Sequence, residues 1–289
     1  PVAFTTDSFT VSPLFFEGGD IGKLAIAGTV NDLAMMGAKP EYLSASFIIE
    51  EGFPYADLAR IVESMAAELA KSGARIVCGD TKVVPKGAAD KIFINTSGVG
   101  TFPLPEQSRG ISVRNLKAGD AILVSRDIGS HGACILMARD ALQLGSDLKS
   151  DCTTLWPLVE ALLKAGITPH ALRDATRGGL AAVLNEWSTA SQVAIELEES
   201  AIPVCDPVRG LCELYGFEPH DLANEGTMVL ALPAEQAQDA LGILRQFNPA
   251  ASQIGVVQAS DRHKVILNNP WGSRRYLELP QGELLPRIC

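Results

Sequence analysis

Two stretches of alternating strand and helix patterns, joined by a polar segment, set the strongest limit on how this chain can fold. Residues 1–102 and 121–267 each mix apolar runs of strand length with runs at helical spacing. The segment 103–119 between them is polar and contains proline and glycine, as linkers commonly do. This pattern predicts an α+β or α/β protein of two domains. The predicted units are an amino-terminal domain, a carboxyl-terminal α/β domain and a mobile tail, at 1–108, 118–275 and 276–289.

Local patterns predict the individual elements. Residues 21–36 are apolar nearly all round, which is typical of a buried helix, whereas residues 55–72 are amphipathic and end at Gly73. Further helices are predicted at 132–144, 154–165, 234–247 and, after a glycine-containing loop, within 174–185. Strands are predicted at 2–7, 42–49, 75–80, 92–99, 121–125, 228–232, 252–257 and 264–267.

Charge and hydropathy argue against several classes of partner. The formal net charge is -10, so the chain lacks the excess of Lys and Arg by which proteins hold a phosphate backbone. No apolar run is long enough to span a bilayer, and the first residues lack the basic start and apolar middle of a secretory leader. We therefore expect a cytoplasmic protein that binds neither nucleic acid nor membrane.

The six cysteines fit a reducing compartment. They show no CxxC spacing and too low a density for a disulfide scaffold, so free thiols are the natural interpretation. A zinc or iron–sulfur site that includes Cys205 and Cys212 is a minor alternative.

The sequence ends on a thiol, at Cys289. A terminus is usually the most mobile part of a fold, so a thiol there can be loaded by one partner, enter an active site and be unloaded by another. A stray surface thiol is the alternative interpretation. Prenylation does not explain this cysteine, because that signal places cysteine fourth from the end.

Two aspartates in the first half are candidates for ligand binding. Asp7 ends a predicted strand, where a carboxylate can face a ligand. Asp32 lies among apolar positions of the predicted helix 21–36, and burial of a carboxylate there is costly unless it is paired or metal-bound. A hard cation held by oxygen ligands is the favoured interpretation. The alternative is an aspartate bonded to a neighbouring helix end.

Three short motifs could face a ligand. Residues 79–82, Gly-Asp-Thr-Lys, end a predicted strand, where open α/β sheets place ligands, although a simple turn explains them equally well. The loop 174–180 has a glycine pair that opens a helix, and such a loop offers N–H groups and a helix dipole to an anion. It is not a P-loop, since the sequence contains no GxxxxGK[ST]. Residues 224–226, Asn-Glu-Gly, could present a carboxylate, although a turn is the favoured interpretation of this motif alone.

The histidines carry less information. His131 is predicted to cap or precede a helix, with ligand contact as the less favoured alternative. The other histidines have no spacing that suggests a shared metal, and the chain lacks the Gly-x-Ser-x-Gly elbow of many serine hydrolases.

Taken together, these segments resemble one family. The motifs occur in order as Thr5-Thr6-Asp7-Ser8, VNDLAMMGAKP at 30–40, GDTKVV at 79–84, DATRGGL at 174–180 and NEG at 224–226. They resemble the ATP-binding superfamily that contains aminoimidazole ribonucleotide synthetase and selenophosphate synthetase, whose fold is PurM-like. The tail Pro286-Arg287-Ile288-Cys289 narrows the resemblance, over nearly the whole chain, to the carbamoyl dehydratases of hydrogenase maturation, the HypE family.

The resemblance implies a homodimer whose amino-terminal domains share a β-barrel, with ATP and Mg²⁺ bound near the interface. It also implies a reaction. A carbamoyltransferase loads a carbamoyl group onto the terminal cysteine, ATP phosphorylates the carbamoyl oxygen, and loss of phosphate leaves a thiocyanate. The cyanide then passes to iron on a scaffold complex and ends in a nickel–iron hydrogenase.

A match to the family's motifs assigns roles to residues of this chain. Asp7, Asp32 and Asp174 would hold magnesium. Cys289 would carry the carbamoyl group, while Lys82 could stabilise transferring charge and Glu225 could act as a base. The residues expected around the nucleotide are Asp7, Asn31, Asp32, Asp80, Thr81, Thr176, Arg177, Gly178 and Gly179.

The sequence departs from the family at its start. In relatives a glycine-rich segment with further aspartates precedes the Thr-Thr-Asp strand and covers the nucleotide, whereas here the strand is already under way at the first residues. We expect a preceding segment to have been removed or to be disordered. One magnesium ligand and part of the phosphate cover would then be missing, and the chain would bind ATP weakly.

Two other functions stay open. A synthetase or kinase of the same superfamily, acting on a free small molecule, leaves the terminal thiol unexplained. A non-catalytic carrier or scaffold, whose terminal thiol holds iron or a metal fragment, has no need of three carboxylates and an anion-binding loop.

Overall fold

A computed structural model of the chain describes residues 1–140, 147–280 and 287–289. Part of the predicted helix 132–144, and residues 281–286 of the predicted tail, lie outside these ranges. No helix within the described ranges is both long and apolar enough to cross a bilayer.

The described residues form a mixture of strands and helices, as predicted. The strands are β1 (Val2–Phe9), β2 (Phe15–Phe16), β3 (Gly19–Asp20), β4 (Lys39–Glu50), β5 (Arg75–Val84), β6 (Ile92–Thr101), β7 (Ala121–Val124), β8 (Ala171–Asp174), β9 (Ala194–Glu198), β10 (Met228–Leu232), β11 (Ser252–Gln258), β12 (Val265–Asn268) and β13 (Arg274–Tyr276). The α-helices are α1 (Ile21–Met35), α2 (Tyr55–Ser72), α3 (Pro105–Ser108), α4 (Ser130–Arg139), α5 (Trp156–Lys164), α6 (Gly179–Ser191), α7 (Asp206–Tyr215) and α8 (Ala237–Phe247). Short 3₁₀ turns lie at Glu199–Ala201, Pro219–Asp221 and Ala234–Gln236.

Each of the two large sheets is built from one of the two halves of the chain that the sequence patterns predict. The first sheet has the strand order β1-β6-β4-β5, in which β4 and β5 are parallel and the other neighbours are antiparallel. The second has the order β13-β12-β9-β11-β7-β10-β8, with β9 and β12 as its parallel pair. Between the two sheets, the predicted linker 103–119 contains only the single-turn helix α3.

Helix α1 joins the two halves. It begins after Asp20, whose Oδ1 accepts hydrogen bonds from the N–H groups of Gly22 and Lys23 at 2.8 and 3.0 Å. The helix packs on β1 and β6 and also on α2, α5 and β8, which explains why its sequence is apolar nearly all round. A Cβ atom on Gly22 would lie 2.4 Å from the carbonyl oxygen of Ile61 in α2, so only glycine allows this approach. Polar residues near the end of α1 therefore lie between the two sheets.

The largest hydrophobic cluster of the described residues also spans both halves. It contains Leu24 and Ile26 of α1 and Leu162 of α5. It includes Ile288 and Cys289 as well, with 3% and 9% of their surface exposed. The end of the chain is therefore part of the core in this structure.

Two predicted strand ends are wrong. β1 continues to Phe9, so Asp7 lies within the strand, and β5 continues to Val84, so Asp80 lies in the middle of a strand and not at a turn. β5 is an edge strand that is exposed along nearly its whole length. Polar side chains there remain in water, so they give no reason for the strand to end.

Candidate active site

The terminal thiol lies inside the protein, beside the loop that the sequence predicts to bind an anion. The Nε of Arg177 donates a hydrogen bond to the Sγ of Cys289 at 3.2 Å. The main-chain carbonyl of Cys289 accepts hydrogen bonds from the N–H and the hydroxyl of Thr10 at 3.0 and 3.2 Å. Three distant parts of the sequence thus meet at the last residue.

The buried sulfur is a protonated thiol at neutral pH. Burial, together with the nearby Glu225, raises the pKa of Cys289 to about 11, and Arg177 only partly offsets this. The thiolate is the nucleophilic form of cysteine, so this position suppresses attack by the sulfur. This buried position suits a sulfur that already carries a covalently bound group.

Glu225 is the second buried group of the site. It is 2% exposed, and its Oε1 has no hydrogen-bond partner among the described atoms. Burial raises the pKa of this carboxyl well above its usual range, and the charges of Asp174 and Asp151 add to the effect. A buried polar atom without a partner is costly, and a bound ligand could supply the partner.

Asp151 holds the loop that carries Glu225. Its carboxylate is buried and accepts hydrogen bonds from the N–H of Glu225, the N–H of Gly226 and the hydroxyl of Thr227 at 3.0, 2.9 and 2.8 Å. A Cβ atom on Gly226 would lie 1.9 Å from the carbonyl oxygen of Asp151, so this position requires glycine. No sequence pattern indicates this role for Asp151, because its partners are more than 70 positions away.

Asn224 ties the same loop to the neighbouring segments. Its Oδ1 accepts a hydrogen bond from the N–H of Gly129 at 2.7 Å, and its Nδ2 donates to the carbonyl oxygen of Ala175 at 2.9 Å. The favoured interpretation of residues 224–226 as a simple turn therefore misses their contacts with the loop before α6.

The three aspartates predicted to hold magnesium come together from β1, α1 and β8. The charges of Asp32 and Asp7 add to burial in raising the pKa of Asp174 to about 6. Burial also raises the pKa of Asp32, although the hydroxyl of Thr5 donates to its carboxylate at 2.6 Å. Within the described ranges no three His, Cys, Asp or Glu side chains have the geometry of a formed metal site. The mutual repulsion of these carboxylates is nevertheless a condition that a cation would relieve.

Helix α6 begins on the glycine pair. Gly178 and Gly179 have φ angles of 73° and 58°, in the left-handed region that favours glycine. A Cβ atom on Gly179 would also lie 2.4 Å from the carbonyl oxygen of His220. No side chain caps the helix, so the N–H groups that follow Gly179 in its first turn are available to an anion. Thr176 lies in this loop, where its carbonyl oxygen accepts from the N–H of Gly179 at 2.9 Å.

The structure does not bring residues 80–82 to this site within one chain. Asp80 lies in register with Ser8 across the sheet, at a separation of three strand spacings, or about 14 Å. Because side chains alternate between the two faces, Asp80 and Lys82 lie on the sheet face opposite to Asp7. Lys82 and Asp80 form an exposed ion pair at 2.7 Å.

Asn31 has its side-chain amide bonded to the protein. Its Oδ1 accepts from the N–H of Leu155 at 2.7 Å, and its Nδ2 donates to the carbonyl oxygens of Thr153 and Glu225 at 3.1 and 3.4 Å. These contacts favour a role in joining α1 to the second half over direct contact with a nucleotide.

The sequence predicts that His131 caps or precedes a helix, but His131 lies inside one. It is fully buried in the first turn of α4. One ring nitrogen lies 2.8 Å from the hydroxyl of Ser150 and the other 2.8 Å from the carbonyl oxygen of Ile288. The prediction places the start of the helix too late, since α4 begins at Ser130, and no sequence spacing indicates the contact with Ile288, 157 residues away.

Comparison with known proteins shows the family. Residues 1–102 match the amino-terminal domain of AIR synthase related proteins, and residues 117–268 match the carboxyl-terminal domain. The carbamoyl dehydratase HypE of Azotobacter vinelandii is 48% identical over 290 residues, which cover the whole of this chain and 84% of that protein. The chain belongs to the HypE family of carbamoyl dehydratases. The family resemblance stated from the motifs is therefore confirmed.

Solved HypE structures share the fold. A crystal structure of HypE in complex with ATP has a TM-score of 0.95 and 44% identity, and the match covers all of this chain and 87% of that one. A crystal structure of a HypE–HypF complex has a TM-score of 0.91 and 46% identity, and covers 96% of this chain and 90% of that one. The predicted two-domain PurM-like fold is thus confirmed.

Proposed function

We propose that this chain dehydrates an S-carbamoyl group on Cys289 to a thiocyanate in the cytoplasm, with hydrolysis of ATP, and so supplies cyanide ligands for nickel–iron hydrogenase maturation. One observation carries the proposal. The sulfur of Cys289 lies 3.2 Å from Arg177, beside the buried Glu225 and the uncapped end of α6. The existence of a HypE crystal structure with ATP supports the choice of nucleotide.

The proposed reaction has two steps. In the first, the carbamoyl oxygen attacks the γ-phosphorus of ATP, the bond to the bridging oxygen breaks, and ADP leaves. In the second, the carbon–oxygen bond breaks with phosphate as the leaving group. One N–H proton is lost in each step, so the products are the thiocyanate, ADP, phosphate and a proton. Such a transfer depends chiefly on positioning and on neutralisation of charge.

The residues around the sulfur of Cys289 suit these steps. Arg177 and the N–H groups at the start of α6 would bind negative charge that develops beside the sulfur. We assign Mg²⁺ to Asp7, Asp32 and Asp174, where it would neutralise phosphate charge. Glu225 would take an N–H proton; burial and, to a smaller extent, the charge of Asp174 raise its pKa, and a cation at Asp174 would oppose the second of these causes.

We also propose a homodimer. The outer face of the first sheet exposes large apolar side chains, with Val2, Phe4 and Ile48 exposed by 70%, 64% and 44%. Contiguous exposed apolar surface is typical of interaction sites. Asp80 and Lys82 lie on this same face, so any contact of theirs with nucleotide would be made across the interface of two copies.

The other partners follow from the chemistry. A carbamoyltransferase must load Cys289, and the solved HypE–HypF complex supports such a partner. An iron-carrying scaffold must then accept the cyanide.

The test is the intact mass of the chain after incubation with the carbamoyltransferase, carbamoyl phosphate and ATP. We expect a gain of one carbamoyl group, followed by loss of one water when the loaded chain receives fresh ATP. Cys289→Ala should abolish both changes. Cys205→Ala, at a half-buried cysteine that the site does not use, is the matched control and should preserve them.

Two results would redirect the proposal. ATP hydrolysis without any mass change at Cys289 would favour a synthetase or kinase that acts on a free small molecule. A thiol that binds iron, in a chain that does not hydrolyse ATP, would favour a non-catalytic carrier.

A further inference from the structure

Main-chain oxygens of the last three residues hold the end of the chain, together with the guanidinium of Arg287, which donates to the carbonyl oxygen of Thr10 at 2.8 Å. The carbonyl oxygen of Arg287 accepts hydrogen bonds from the N–H of Ser12 at 3.2 Å and from the guanidinium of Arg139 at 2.6 Å. The carbonyl oxygen of Cys289 accepts from the N–H and the hydroxyl of Thr10. The segment that follows β1 therefore binds the tail at alternate carbonyls, as a neighbouring strand would.

His131 contacts the carbonyl between these two. A carbonyl oxygen only accepts, so the Nε2 of His131 donates to the oxygen of Ile288. In a neutral ring the Nδ1 then accepts from the hydroxyl of Ser150, whose oxygen in turn accepts from the N–H of Cys152 at 3.1 Å. The rings of Phe16 and His131 are nearly perpendicular, in a T-shaped contact with their centroids 5.4 Å apart. His131 is thus fixed on both sides before it meets the tail.

We propose that His131 is a positioning residue that sets the register of the tail, together with Thr10, Ser12 and Arg139. Every carbonyl of the last three residues is bonded, so the site recognises how far the main chain has entered. The side chain of Ile288 fills the core and adds no polar contact.

The register decides where the sulfur lies. A shift of one residue moves a main-chain position by about 3.3 Å and turns the side chain to the opposite side. The Sγ of Cys289 would then lose its 3.2 Å contact with Arg177. The consequence for catalysis rests on the proposed dehydration at Cys289, whereas the tail contacts themselves do not.

The first experiment compares two replacements of His131 by the alkylation rate of Cys289 with a maleimide, read from the mass of the carboxyl-terminal peptide. His131→Phe keeps the ring and its contact with Phe16 but removes the donor, whereas His131→Gln keeps an N–H donor. We expect alkylation about five- to tenfold faster in His131→Phe, as for the loss of one hydrogen bond, and a rate near that of the unaltered chain in His131→Gln. Equal rates in all three proteins would overturn the proposal.

A second experiment leaves His131 and the other groups that bind the tail unchanged. One glycine inserted between Arg287 and Ile288 breaks the register of the last two residues. The same insertion between Glu278 and Leu279 lengthens the chain at an exposed position and leaves the sequence of the last three residues intact. The first insertion should expose Cys289 to the maleimide and the second should not. Equal protection in both would show that the carbonyl contacts do not set the register.

The chemical consequence is measured on chain already loaded with carbamoyl. His131→Phe should lower the rate constant for loss of water, with the KM for ATP unchanged, because the tails that remain inside are no longer held in register and the reacting group is misplaced. Faster alkylation together with an unchanged rate constant would refute the positioning role. Since alkylation needs neither ATP nor carbamoyl, it tests the tail contacts even if no dehydration occurs.

Discussion

Replacement of Asp174 by asparagine is expected to stabilise the fold at neutral pH. Asp174 is 5% exposed, and burial with the charges of Asp32 and Asp7 raises its pKa from 3.8 to about 6. Such a carboxyl favours the folded state while it is protonated. Its contribution is complete below the unfolded pKa and is lost as the pH rises through the folded value. The shift of about two units corresponds to roughly 3 kcal/mol at pH 7.5, which Asp174→Asn should regain as an upper limit.

The assay is urea unfolding at about pH 7.5 and about pH 4. The gain from Asp174→Asn should be largest at the higher pH and fall below about 1 kcal/mol at the lower one. Asp261→Asn, at an exposed turn, is the matched control and should change stability at neither pH. If Asp174→Asn is no more stable than the unaltered chain at pH 7.5, the charged form of Asp174 is not disfavoured and the reasoning fails. The variant should also lose dehydration, since it removes a proposed magnesium ligand.

Three further perturbations have defined outcomes. Gly226→Ala, whose Cβ would overlap the carbonyl oxygen of Asp151, should lower the free energy of unfolding by more than about 3 kcal/mol. Gly210→Ala, which has open space around it in α7, should raise the free energy of unfolding by about 0.5–1 kcal/mol. Equal effects of the two substitutions would contradict the packing argument. In the folded chain, the rate of alkylation of Cys289 should keep rising with pH up to about pH 10, whereas in urea the rate should level off near pH 9. Identical dependence of the rate on pH in both conditions would exclude a shifted pKa of Cys289. Chelation of divalent cations should stop loss of water from the loaded chain, and Mg²⁺ should restore it; turnover in chelator would remove the magnesium assignment.

The sequence predicted the long elements better than their ends. Helix α2 was recognisable because apolar residues repeat at helical spacing over 18 residues, and α1 because its 15 residues are apolar nearly all round and too many for one strand. The ends of β1 and β5 were not, because both strands carry polar residues at exposed positions and show no alternation. Strands β8 and β9 were missed because charged residues interrupt them, whereas the equally short β7 and β10 consist of apolar residues alone.

The residues predicted at the site divide in the same way. Cys289, Arg177 and Glu225 lie in recognisable sequence motifs, and the structure brings these residues together. Asp151 and His131 escaped prediction because their importance depends on partners that are adjacent only after folding. A buried acceptor of main-chain N–H groups looks like any other aspartate in a sequence.

Because Ile288 is buried, the core of this chain competes for the tail with any partner protein that binds the tail. The side chain is 3% exposed within the largest hydrophobic cluster, and full burial of an isoleucine is worth about 1.5–3 kcal/mol. A protein that captures the tail for loading must therefore offer an apolar pocket of similar depth, or it will bind only the small fraction of chains whose tail is already free. Ile288→Ala would weaken binding of the tail both to the core and to the partner, and the direction in which the tail shifts would reveal which of them holds the isoleucine more tightly.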